Sequence, residues 1–262
     1  MIKSRMNEQY LKFGRIAVII NMFGIVFSGL VFPVLSLIFT PQPPWRDAAL
    51  FVESFHPLQT ATFFCGYFLV IGSLLTFIVL YKTAPENRKI WALSGLLINV
   101  VFTAVVFLNY IIQTTYIPYL ATNNPPETAT ILPVFTMANP GSFAWALEMY
   151  GWGGIGLSFI FMALIFNDGK LAKTLKILFL ANGISSVTTA LLTSFDMNWL
   201  FSPAGLTALV VWNALVFVID IFLLKYFQKE QKKFSDEISM IAETQTVMNN
   251  LAHGTPIAIG AM

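Results

Sequence analysis

Residues 16–39 read IAVIINMFGIVFSGLVFPVLSLIF, from Ile16 to Phe39 without one charged side chain. An α-helix needs about 20 apolar residues to cross the hydrocarbon core of a bilayer, and this run exceeds that length. It is too long for the apolar core of a secretory signal. The Thr40-Pro41-Gln42-Pro43-Pro44 that follows does not offer small residues for cleavage. The stretch is therefore expected to be a retained transmembrane helix, kinked at Pro33, where the backbone donor is missing.

Outward from this stretch the same signal recurs, at about 60–80, 90–112, 143–166, 175–194 and 204–224. The expected fold class is all-α: a polytopic transmembrane bundle of six helices over residues 1–227, with a polar tail over 228–262. Composition agrees. Hydrophobic residues make up 56% of the 262 and charged ones 11%, and the mean hydropathy is +0.72. A soluble domain carries about 25% charge, so the balance excludes disorder, a collagen-like chain, a disulfide scaffold and an ordinary soluble enzyme. The net charge of +2, with no clustered basic face, excludes a nucleic-acid footprint. Cys65, the sole cysteine, reads as a small buried apolar residue.

Between the third and fourth spans, Asn123-Asn124-Pro125-Pro126, Pro133 and Asn139-Pro140-Gly141 are breaker clusters. The region from Ile117 to Ser142 is expected to be a loop, with Ile131, Leu132, Val134 and Phe135 able to rest on the membrane surface. Pro118 is expected to stop the third helix.

Charge orients the spans. With both termini inside, the inner segments hold Lys3, Arg5, Lys12, Arg15, Lys82, Arg88, Lys89, Lys170, Lys173, Lys176, Lys225, Lys229, Lys232 and Lys233. Of the 15 Lys and Arg, only Arg46 falls outside. Short basic loops stay cytoplasmic, so both termini are expected to be cytoplasmic, and the setting is expected to be the cell membrane of a bacterium. Trp45, Trp145 and Trp199 fall near the outer interface and Trp91 near the inner one, as amphipathic indoles prefer. Trp212 and Trp152 fall deeper. In the tail, Phe234, Ile238, Ile241, Met248 and Ala252 sit at heptad-like offsets. They suggest a short cytoplasmic helix, ended by His253-Gly254-Thr255-Pro256, that either prolongs the sixth span or docks a partner or a second copy.

Glu148 in the fourth span and Asp220 in the sixth are the acids within apolar stretches. Such groups face the bundle interior and are functional candidates. Neutral polar residues form stripes beside them. Asn182, Ser186, Thr189 and Thr193 share one face of the fifth span, and Asn99, Thr103, Tyr110 and Gln113 one face of the third. Asn21 and Ser28 belong to the first span, and Asn213 lies in line with Asp220. The expected polar cavity is lined by Glu148, Asn99, Thr103, Asn182, Ser186, Thr189, Asn213 and Asp220. Interhelical hydrogen bonding is the plainer use of the same groups. Gly151-Trp152-Gly153-Gly154-Ile155-Gly156 reads as a close helix crossing, or else as a helix break beside Glu148.

No zinc-protease, nucleophile-elbow or phosphate-loop motif occurs, so no catalytic residue is named. His56 and His253 fall on opposite sides of the membrane, so no metal site and no cofactor is expected. His56-Pro57-Leu58 before the second span and Phe143-Ala144-Trp145-Ala146-Leu147-Glu148 opening the fourth resemble the six-helix integral membrane proteins of bacteria. That family has no assigned activity, so the resemblance implies a fold and nothing more. The functional expectation is a non-enzymatic membrane protein that binds a lipid or small ligand, or regulates a membrane partner. The alternative is a small-solute or ion-coupled transporter working through a polar cavity near Glu148.

Overall fold

The computed structural model describes residues 2–252. The described residues are helices joined by short connections, with no strand among them. Five helical stretches are long and apolar enough to cross a membrane: Glu8–Phe39, Pro57–Thr83, Glu86–Asn123, Lys170–Phe195 and Pro203–Ile241. A further long helix, Phe143–Ala163, is 21 residues. It falls outside that group because Glu148, four glycines, two tryptophans and a tyrosine dilute its hydropathy.

The first stretch comprises α1 (Ile2–Val26), a π-helical turn (Phe27–Val31) and α2 (Phe32–Phe39). The expected break at Pro33 takes this form: the helix widens by one turn just before the proline and then continues. The third stretch does the same. Helix α5 (Lys89–Ile111) runs into a π turn (Ile112–Tyr116) and then α6 (Ile117–Asn123), with Pro118 in the first turn of α6. Proline is tolerated there because the first backbone donors of a helical turn need no partner. Pro118 therefore does not stop the helix, contrary to the sequence-based expectation.

Helix α3 (Ala48–Ser54) follows the first stretch, and its N-terminus is capped by Asp47. The connection into α4 (Ala61–Thr83) passes through a tight turn at Pro57–Thr60, where His56 and Gln59 cap each other's backbone donors. Helix α5 spans Lys89–Ile111. The segment expected as a loop after it is largely helical: after α6 comes α7 (Thr128–Phe135). Leu132 of α7 is fully buried against Ala48, Phe51, Ile117, Leu120 and Ala121. The breakers terminate two short helices, and apolar contacts that the sequence pattern does not reveal hold them. Helices α3, α6 and α7 thus form a small cap with its own core.

Helices α8 (Phe143–Ala163), α9 (Lys170–Phe195) and α10 (Pro203–Ala252) complete the fold. Helix α8 is unbroken through its glycines. A Cβ on Gly183 of α9 would lie 2.6 Å from the Gly156 carbonyl oxygen, and one on Gly156 would lie 2.9 Å from the Gly183 carbonyl oxygen. The missing side chains let these backbones touch, which is the crossing expected of small residues in lipid. The tail takes the first of the two forms expected and prolongs the sixth span: α10 continues through it as one helix of 50 residues. The expected stop at His253-Gly254-Thr255-Pro256 lies outside the described residues.

Contacts sort the chain into two ends. At one end Arg15 donates to Gln231, Arg88 donates to the Ile165 carbonyl, and Phe166 stacks edge-on against Tyr226. This end is solidly packed, with Phe77, Phe166, Phe179 and Phe227 fully buried. At the other end stand the cap, Trp145 against Phe201, and Trp199. The packing is incomplete there, and a cavity remains.

Candidate functional site

The first turns of α8 place Glu148 against the end of α5. Ser142 caps α8 by accepting from the Trp145 backbone N–H, which sets the helix's starting register. Residues four apart share a helix face, so Glu148 and Trp152 adjoin, and Asn109 and Gln113 do likewise where α5 runs into its π turn. Three donors converge on the Glu148 carboxyl. Asn109 Nδ2 donates to Oε2 at 2.8 Å, while Tyr110 OH at 3.0 Å and Trp152 Nε1 at 2.8 Å donate to Oε1. Glu148 is only 7% exposed. Asn109 and Trp152 bring donor groups to it, which suits the acceptor oxygens of a carboxyl.

A second layer holds those donors. Gln113, in the π turn, donates to the Phe135 carbonyl at 2.7 Å and to Asn109 Oδ1 at 3.4 Å, and accepts from the Met137 N–H at 3.1 Å. The chain after α7 is thereby strapped to α5. Trp145 Nε1 donates to the Met137 carbonyl from the other side.

Glu148 forms part of the wall of a cavity of about 730 Å³. That volume lies within the range of small-molecule sites, about 300–1,000 Å³. Its lining is mostly apolar and draws on α2, α4, α8, α9, α10, the two π turns and the cap. Leu37 of α2 and Leu209 and Val211 of α10 line it and are exposed. The cavity is therefore open rather than sealed.

Of the sequence-derived candidates, Glu148, Ser186, Thr189 and Asn213 line this cavity. Ser186 accepts from Trp212 Nε1 at 2.9 Å, and Asn213 donates to the Leu209 carbonyl. Asn99, Thr103, Asn182 and Asp220 lie off its wall. They belong to the packed interior, which reaches from α1 across α4 to α5 and α10. There Asn21 Nδ2 donates to Asp220 Oδ1 at 3.0 Å, and Asn99 Nδ2 to Ser73 Oγ at 3.1 Å. Asp220 Oδ2, Asn21 Oδ1, Asn99 Oδ1, Thr103 Oγ1 and Asn182 Nδ2 have no hydrogen-bond partner among the described residues. The two acids so belong to separate clusters.

Sequence reasoning passed over Asn109, and it placed Trp152 deep in the span without joining it to Glu148. The spacings of four, Asn109 to Gln113 and Glu148 to Trp152, were the available signal. Among the described residues no group of His, Cys, Asp or Glu is arranged to hold a metal ion. No family model, curated protein or solved structure matches the chain. Fold and site define a class: a multi-pass helical membrane protein with an open cavity that bears a carboxyl group.

Proposed function

We propose that the chain is a six-helix integral membrane protein with both termini cytoplasmic, and that it binds a small, largely apolar molecule in the cavity beside Glu148. Binding, not catalysis, is its role. The cavity carries this reading: about 730 Å³ of open, mostly apolar space, in a chain whose surrounding bilayer would supply acyl chains or lipid-soluble molecules. The orientation follows from charge. The packed end carries Arg15, Arg88 and Lys225, whereas Arg46 lies beside the cap. By the positive-inside rule the packed end is cytoplasmic, and the cavity occupies the outer half of the cytoplasmic membrane of a bacterium.

Filling the cavity tests the reading. Ala181 and Ser185 line it from α9 and are exposed to it. Protein released gently from lipid nanodiscs into a mass spectrometer is expected to retain a small apolar molecule. The double substitution Ala181→Trp and Ser185→Trp is expected to abolish it. No adduct, or an unchanged adduct in the filled variant, counts against binding.

A transport reading is favoured by one observation. Both π turns lie beside the cavity, and each is followed at once by a helix with proline in its first turn. These are places where a helix can bend. Substrate-dependent accumulation in vesicles, lost when the cavity is filled, distinguishes carrier from receptor. The tail helix is proposed as a docking element, since Met240, Ile241 and Met248 are exposed along it. Truncation after Lys233 is expected to release a co-purifying partner.

A further inference from the structure

The chemistry left free on the cavity wall narrows the ligand class. Trp145, Trp152, Trp199 and Trp212 all line the cavity, and each indole N–H is already spent. They donate to the Met137 carbonyl, Glu148 Oε1, Thr193 Oγ1 and Ser186 Oγ respectively. Three of the four amide side chains on the wall are engaged too: Gln59 with the Thr40 and Ser54 carbonyls, Gln113 with the Phe135 carbonyl, Asn213 with the Leu209 carbonyl; Gln42 is the fourth. Tyr110 gives its hydroxyl to Glu148. Most of the N–H donors are therefore committed, and no Lys, Arg or His lines the cavity. No positive charge there would receive an anion.

What remains on offer is aromatic surface and one carboxylate. Trp152 joins the two, donating to Glu148 and packing edge-on against Trp212 at 4.7 Å between ring centroids. The face of an indole attracts a cation through its quadrupole, most strongly where water is excluded. A carboxylate without a counter-ion on a low-dielectric wall does the same at longer range.

We propose that the cavity is a site for an apolar organic cation, a quaternary ammonium or phosphonium with hydrocarbon substituents. Its charge lies beside Glu148 and its body against the tryptophans. This rests on the cavity being a ligand site, and it adds the ligand's charge and chemical class.

Three probes of nearly one shape separate the two. The full chain in nanodiscs is titrated with tetraphenylphosphonium, with neutral triphenylphosphine oxide, and with anionic tetraphenylborate. Equilibrium dialysis reads the binding, and empty nanodiscs correct for partition into lipid. The expected result is saturable binding of the phosphonium, at least tenfold tighter than the oxide, with no saturable binding of the borate. Glu148→Gln is expected to bring the phosphonium to the oxide's level and leave the oxide unchanged. Equal binding of cation and neutral probe, or tighter binding of the borate, overturns the cation class while leaving a ligand cavity. Saturable binding of none of the three overturns the cavity reading and this inference together. The comparison on the unsubstituted chain decides the matter even if Glu148→Gln does not fold.

Discussion

Glu148 and Asp220 are both buried carboxylates on long apolar helices, and the chain treats them oppositely. Glu148 stands at a cavity wall with donors on both oxygens, from Asn109, Tyr110 and Trp152. Asp220, 1% exposed, lies in packed interior with one donor, Asn21, and its Oδ2 has no partner among the described residues. A carboxyl in lipid costs about 2.5–3.5 kcal/mol at the helix centre on insertion scales. At Glu148 that cost is offset by a preorganised donor shell on a surface a ligand can reach. At Asp220 it is met by a single pairing that joins α10 to α1. Full satisfaction beside open space fits the binding group proposed, and partial satisfaction without space fits an interhelical tie.

The comparison can be broken most directly at the donor shell. Glu148→Ala orphans the Trp152 indole N–H and the Tyr110 hydroxyl. Orphaned buried groups cost about 1–3 kcal/mol each, so a loss of about 2–6 kcal/mol is expected in equilibrium unfolding from nanodiscs. A loss below 1 kcal/mol would show that the shell holds nothing together. Next in size is Asn21→Leu, which leaves Asp220 without its donor. About 1–3 kcal/mol is expected by the same rule, read the same way.

Asp220→Asn is the sharper probe. It removes an ionisable group and introduces an amide N–H near Asn21 Oδ1, which now lacks a partner. Stability is expected to stay level or rise by up to about 1 kcal/mol. A loss above 2 kcal/mol would place Asp220 in the same class as Glu148.

The smallest effect concerns an exposed acid, Asp47, which caps α3. The Leu50 backbone N–H and then Arg46 hold its carboxyl below its ordinary value of 3.8. A lowered folded value stabilises the cap above the unfolded value, and the contribution is lost as pH falls from about 4 through the folded value. Hydrogen exchange over residues 48–54, corrected for intrinsic rates, should lose protection in that window. Asp47→Asn should remove the pH dependence.

Much of this architecture was legible because apolarity is a local property. Helix α4 lies close to the span read from residues 60–80, since a run of apolar residues needs no neighbour to identify it. The stripe Asn182, Ser186 and Thr193 was legible for the same reason: period 3.6 placed it on one face, and all three are buried. The region from Ile117 to Ser142 was not legible. Its breakers read as loop, while Leu132 is helical because Phe51 and Leu120 lie elsewhere in the chain to receive it. Asn109 escaped notice because its partner is 39 residues away.

By itself, then, the sequence determined the solvent. The low charge and the apolar runs declare a membrane protein, because insertion reads each segment nearly independently. Only the tertiary structure decided which polar residues meet. Hydrogen bonds and cavities depend on helix crossings, and crossings depend on small residues such as Gly156 and Gly183 matching across space. That packing separated two acids the sequence could only name together: it sealed Asp220 into the bundle and left Glu148 beside a cavity.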